Sequence, residues 1–242
     1  MSFIGPAFHV LLSQPLENLL ALVYVLLPLR DLGLAIIVFT VIVRMVLFPL
    51  TVKALSGQRA LAKLQPKIQE LQKRLKHDRE AQGREIMGLY REHNINPLMS
   101  LVPILVQLPI LFALWKILLR EVQDGAFGNI YGFLPDPGSV SLVAFGFLDL
   151  STPSPYLAVA AGLAQLVQSR LSMKDMVSGG GEFGKMLSKQ TLFIFPAITV
   201  VIAWNFPAAV ALYWFVTTVI SAGQHRLAQQ MVDTHESASR KN

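Results

Sequence analysis

The stretch FTVIVRMVLFPL, residues 39–50, decides how this chain is read. It sets Arg44 inside an apolar run long enough to enter a bilayer, with Val and Ile before it and Met, Val, Leu and Phe after it. A fixed cation in hydrocarbon costs about 2.5–3.5 kcal/mol on insertion scales. Something must offset that cost, and the rest of the sequence says what is available.

The chain has 242 residues, of which 53% are hydrophobic and 15% charged. Soluble domains carry about 25% charged residues. The apolar residues are gathered in blocks, which predicts an all-α polytopic membrane protein. A spanning helix needs about 20 mostly apolar residues, and five segments qualify. They are 33–50, 98–118 (with Pro103 and Pro109), 156–173, and a hairpin over 191–223 whose two spans are split at Pro207. A sixth block, LENLLALVYVLLPL at 16–29, is short and opens on Glu17 and Asn18. It is read as an interfacial helix within an external N-terminal segment, 1–32. The chain contains no cysteine, which excludes disulfides, thiolate metal sites and lipidated cysteines. The first residues lack a basic n-region, so no cleaved signal peptide is expected.

Charge between the spans sets the orientation. Residues 51–97 hold ten Lys/Arg and five Asp/Glu, whereas 120–149 hold one and four. Residues 170–190 hold four and two, the N-terminal stretch to Leu32 one and two, and the tail after Gly223 three and two. Alternate segments are therefore basic, seventeen Lys/Arg against two. The positive-inside rule places the N-terminus outside and the C-terminus in the cytoplasm. The net charge of +6 then belongs to the cytoplasmic face.

The extramembrane segments follow. Residues 51–97 put Leu61, Leu64, Ile68, Leu71 and Leu75 at helical spacing, break near His77–Asp78, and resume at Ile86 and Leu89. This predicts a cytoplasmic helical hairpin bent at Pro66, either a docking arm or a merely solvated one. Residues 119–155 are an external loop rich in Pro and Ser. Residues 174–190 are a Gly-rich cytoplasmic linker, and 224–242 a cytoplasmic tail.

Arg44 lies six residues before Leu50, about 9 Å from the cytoplasmic end of its span. One reading has its side chain snorkel to the headgroups. The other has it face a water-filled cavity. Thr40, one turn earlier, and Gln107, Gln165, Gln168, Thr217, Thr218 and Ser221 in other spans would wet such a cavity. No Asp, Glu or His falls within a span except at the edges, so a proton-coupled transporter loses weight. A cationic, partly hydrated groove would attract the acidic flank of an incoming chain and lower the barrier to moving it across. His9, His77, His93, His225 and His235 are scattered and form no metal site. No catalytic constellation occurs at membrane depth, and SGGGEFGK lacks P-loop spacing. No enzyme and no cofactor are expected.

These residues resemble the YidC/Oxa family of membrane protein insertases over about 16–230. The resemblance rests on GLAIIVFTVIVRMVLFPLT, LQPKIQELQKR, NPLMSLVPILVQLPILFALW, FLDLSTPSPY and FPAAVALYWFVTTVISAGQHRL, in that order. It implies five transmembrane helices around a hydrophilic groove that opens to cytoplasm and lipid, and insertion of nascent membrane proteins without nucleotide. Arg44 matches the groove arginine, Thr40 a groove threonine, and Gln107, Tyr213 and Trp214 positions near the substrate path. The implied partners are nascent membrane proteins, the phospholipid bilayer, the ribosome through the hairpin, and the Sec translocon. The proteobacterial members' extra N-terminal span and large periplasmic β domain are not seen, so the chain is read as the minimal five-span form. A long basic ribosome-binding tail is not seen either. The address expected is a bacterial plasma membrane. Two rivals stay open: a small anion channel or transporter using Arg44, and a scaffold that recruits partners through the hairpin.

Overall fold

The computed structural model describes residues 8–96, 102–177 and 182–239. A π-helical turn, His9–Ser13, leads into α1, Gln14–Leu26, with Pro15 in its first turn, where a missing N–H is harmless. Leu27 turns extended and Arg30 adopts a φ of 43°, which ends the helix. Asp31 then caps the next one, its Oδ1 accepting from Leu34 N at 2.9 Å.

That helix, α2, runs unbroken over Leu32–Arg74, 43 residues. The expected boundary at residue 50 is thus not a break in structure, because one rod carries the apolar run and the first arm of the hairpin. Past Leu50 the sequence is rich in Lys, Ala, Leu, Gln and Arg, all good helix formers. Pro49 and Pro66 are accommodated within the helix. The return arm is α3, Arg79–Glu92, whose N-cap Asp78 accepts from Ala81 N at 2.9 Å. Gln82 Nε2 donates to Gln72 O at 3.2 Å, tying the return arm to the outgoing one.

Helix α4 spans Val102–Asp124 with Pro109 inside it; the first residues of the expected span, 98–101, lie outside the described residues. After it come β1 (Val143–Ala144) and β2 (Leu148–Asp149), paired antiparallel with Ala144 opposite Leu148. The sequence reading had only a loop here. Two-residue strands give no alternating pattern to detect; the turn between them places Phe145 and Gly146 at φ values of 55° and 78°. Three helices complete the chain: α5, Pro155–Val177; α6, Glu182–Asn205; α7, Ala208–Ser239. One expectation is corrected here. The linker expected over 174–190 is helical up to Val177 and again from Glu182, leaving 178–181, which lie outside the described residues. After the glycine run 179–181, Glu182, Lys185, Met186 and Leu187 favour helix despite Gly184 among them. The residues after Gly223 continue α7 as helix to Ser239, with no proline to interrupt them.

By length and composition, α2 and the stretch His9–Leu26 are each capable of crossing a membrane, and Leu192–Asn205 is a shorter apolar helix. The block at 16–29 is therefore part of a longer apolar helical stretch than its sequence suggested.

The chain divides into two compact units. The first comprises Met1–Val46, Leu105–Gln165 and Pro196–Ser221. Its core holds Leu20, Tyr24, Leu32, Ile36, Phe39, Leu114, Leu118 and Leu150, all nearly inaccessible. Where α5, α6 and α7 meet, the residues are small: Ala158, Ala203 and Ala211 pack together. A Cβ at Gly162 would overlap Val200 Cγ2. Such close backbone approach is how helices associate where lipid removes the hydrophobic drive. Two residues of α1 hold the 128–131 loop. Glu17 Oε1 accepts from Arg120, from Gly128 N at 2.8 Å and from Asn129 N at 3.0 Å. Asn18 donates to Asn129 O at 2.8 Å and accepts from Tyr131 N at 2.7 Å.

The second unit comprises Leu47–Ile104, Leu166–Phe195 and Ala222–Asn242. Leu55 of α2 packs on Ala228 and Val232 of α7, flanked by Phe48 and Val52. Arg59 and Asp233 join the same two helices with an ion pair at 2.6 Å.

Candidate functional site

Arg44 lies on α2 beside Val41, Ile42, Met45 and Val46, all exposed. Its own side chain is half-buried and turned inward: Nε donates to Thr217 Oγ1 of α7 at 2.9 Å. The guanidinium is thus directed at a neighbouring helix and not along the outer apolar face. One turn before Thr217 on the same helix, Tyr213 is 3% exposed and interacts with both Thr217 and the Arg44 charge. Its hydroxyl accepts from Gln107 Nε2 of α4 at 3.1 Å. Four polar side chains from three helices therefore form one connected chain inside the first unit: Arg44, Thr217, Tyr213 and Gln107.

Spacing explains how this arises. Tyr213 and Thr217 are four residues apart, so they share a face of α7. The charged end of the chain comes from α2 and the amide end from α4. Ser221 continues the same face, but its hydroxyl donates to Thr217 O at 2.6 Å and is used within α7.

The other expected site residues fall differently. Thr40 is 1% exposed, and its hydroxyl donates to Ile36 O at 2.6 Å, within its own helix. Gln165 is half-buried on α5 and is not joined to the polar chain. Gln168 belongs to the second unit and is half-buried there. Trp214 is half-buried and lines an apolar cavity of about 350 Å³ with Leu111, Phe112, Trp115, Ile202, Phe206 and Val210. Trp115 packs edge-on against Phe206 at a ring-centroid distance of 5.1 Å.

Thr217 is the residue that sequence reasoning undervalued. It stood as one polar group among several, and only the approach of α2 to α7 singles it out. Its spacing from Tyr213 was the available signal. Among the described residues no cluster of three or more His, Asp or Glu is placed to hold a metal ion.

An apolar helical assembly with exposed apolar faces and a cation within a polar chain between its helices is consistent with a membrane protein family. Residues 25–236 match the family described as 60Kd inner membrane protein, and the chain belongs to that family. Relatives named membrane protein insertase YidC include one from Fusobacterium nucleatum, 31% identical over 194 residues, covering 79% of this chain and 83% of the relative. Another, from Anaeromyxobacter sp. (strain K), is 34% identical over 215 residues, covering 87% of this chain and 34% of the relative. A third, from Geotalea daltonii, is 30% identical over 196 residues, covering 79% and 32%. The chain thus spans about a third of the length of several of the relatives it matches, and most of the length of the Fusobacterium protein.

Proposed function

We propose that this chain is a membrane protein insertase that moves nascent membrane proteins from the cytoplasm into the bilayer without hydrolysing nucleotide. Helices α2, α4, α5, α6 and α7 supply five spans around a hydrophilic groove. The N-terminus lies outside, the C-terminus lies in the cytoplasm, and the address is a bacterial plasma membrane. The observation that carries this reading is the inward turn of Arg44 onto Thr217, within a polar chain ending at Gln107, in a member of the 60Kd inner membrane protein family. Exposed apolar side chains support the membrane setting: Val41, Ile42, Met45 and Val46 on α2, and Phe193, Ile194, Phe195, Ile198 and Val201 on α6.

The mechanism follows from charge and burial. The Arg44 guanidinium, oriented by Thr217, attracts the acidic or polar flank of an incoming segment. Tyr213 and Gln107 offer further hydrogen-bonding groups along the path. Transfer of the segment's apolar helix into lipid drives the reaction, and the polar chain lowers the barrier for the flank. Nothing here calls for a cofactor or bond chemistry. The basic hairpin of α2 and α3 serves as the arm that meets the ribosome or another cytoplasmic partner, and the Sec translocon is a second partner.

The test is reconstitution of the full chain in proteoliposomes with an acidic-tailed single-span substrate. Wild type inserts it, and Arg44→Ala loses most of that activity. Normal insertion by both Arg44→Ala and Arg44→Lys, with loss of chloride flux, would replace this reading by an anion channel. Unchanged insertion and flux in both variants would favour a scaffold.

A further inference from the structure

The first unit holds a second charged cluster that the insertase reading does not use. Glu17, in the first turn of α1, is 1% exposed. Its Oε1 collects three donors, Arg120 Nη2, Gly128 N and Asn129 N, while Oε2 has none. Immediately after Arg120 comes Glu121, fully buried, with neither carboxyl oxygen hydrogen-bonded. Both residues lie past the end of the second expected span, at 118.

Two buried carboxyls feel the charge of one guanidinium, whose Nη2 is bonded to Glu17 while its Nε, like both Glu121 oxygens, is buried without a hydrogen-bond partner. If both carboxyls were ionised, the cluster would hold one uncompensated buried negative charge, which low-dielectric surroundings penalise heavily. A proton is the smallest ligand that removes it, and two interacting carboxyls in one site commonly share one. The charged groups acting on Glu121 are Glu17 from α1 and Arg120 from its own helix. Asp124, one turn on, is exposed. The loop opposite brings the uncharged Asn129 and Tyr131, and the π-helical turn brings His9, whose Nε2 lies 3.1 Å from Asn129 Nδ2.

We propose that Glu121 is a proton-binding site whose occupancy latches the 128–131 segment to α1. With Glu121 protonated, Arg120 is free to hold Glu17, and Glu17 in turn holds the Gly128 and Asn129 amides. With Glu121 ionised, it repels Glu17 and competes for Arg120, and the three-donor clamp on Glu17 weakens. Burial, and then the Glu17 charge, push the Glu121 carboxyl well above the ordinary range, with Arg120 opposing. The sign follows. The closed latch binds the proton more tightly than the open one, so closure is favoured at low pH and lost as pH rises through the raised value. The Arg120 guanidinium also lies against Gly128, where an added Cβ would meet Arg120 Cζ at 2.9 Å.

The test uses the full chain in lipid nanodiscs. Amide hydrogen exchange of the 125–131 segment is followed from about pH 6 to about pH 9 and corrected for intrinsic rates. In wild type the protection falls at least about tenfold as pH rises. Glu121→Gln, which mimics the protonated form, stays protected throughout. A flat wild-type profile, or the same profile in wild type and Glu121→Gln, overturns the proposal. Should Glu121→Gln fail to fold, the infrared carbonyl band of a protonated glutamic acid in 13C-Glu-labelled wild type decides. The band must be present at neutral pH and vanish with the same midpoint as the loss of protection, and its absence overturns the proposal. The readout is structural and is independent of insertase activity.

Discussion

Replacing Thr217 with Val tests what the Arg44 contact does. Val has nearly the same shape but offers no acceptor to Arg44 Nε, which now sits 2.9 Å from Thr217 Oγ1. Thr217 is 7% exposed, so little water can stand in on that side. A hydrogen bond to a charged group contributes about 1.5–3 kcal/mol when buried. Arg44 itself is half-buried, so solvent replaces part of the loss, and about 1–1.5 kcal/mol remains. At about 1.4 kcal/mol per factor of ten, that is roughly a tenfold effect. Its sign discriminates between two roles. If Thr217 orients the guanidinium toward the substrate, Thr217→Val lowers insertion of an acidic-tailed single-span protein about tenfold, measured by protease protection in proteoliposomes. If Thr217 only competes with the substrate for Arg44, insertion rises instead. Thr217→Ser keeps the oxygen and restores activity. A substrate with a neutral tail loses less than about twofold, because the contact matters only when charge is transferred. In an Arg44→Ala background the second substitution adds little, as expected for residues acting as a unit. Equal losses for both tails, or wild-type insertion by Thr217→Val, would refute the positioning role.

Three further outcomes follow from the packing. Gly162→Ala drives a methyl into Val200 Cγ2 and lowers stability by about 1–3 kcal/mol; adding Val200→Ala restores most of it, as seen in thermal melts of the reconstituted protein. Asp78→Ala removes the cap on α3 and costs the return arm about 1 kcal/mol, seen as faster amide exchange at Ala81 and Gln82, with Asp78→Asn nearly neutral. Asp233→Asn breaks the pair with Arg59, but Asp233 is 66% exposed, so the change stays under about 1 kcal/mol and its salt dependence disappears; a larger loss would mean that the contact carries the unit.

The all-helical character was legible because apolar runs and helical periods are local signals. An apolar run of about 20 residues is visible without knowing any neighbour, and so is the unusual position of Arg44. The turn near His77–Asp78 was legible for a local reason, since a polar break in the helical period is written in adjacent residues, whereas the Asp78 cap emerged from the structure. Boundaries were less legible. Helices α2 and α7 continue past residues 50 and 223, α2 even through Pro49, so a fall in hydropathy does not mark a helix end.

Contact partners were the part that tertiary structure alone decided. Thr40 and Thr217 look alike in sequence, yet one hydroxyl is used within its own helix and the other meets a guanidinium from residues 173 positions away. Folding buries both Glu17 and Glu121 and gives donors to only one. Hydropathy and periodicity report how a residue relates to solvent and to its own helix. Which helices approach, and which two polar groups then face each other, depends on small-residue packing summed over the whole bundle, and no single stretch of sequence carries that information.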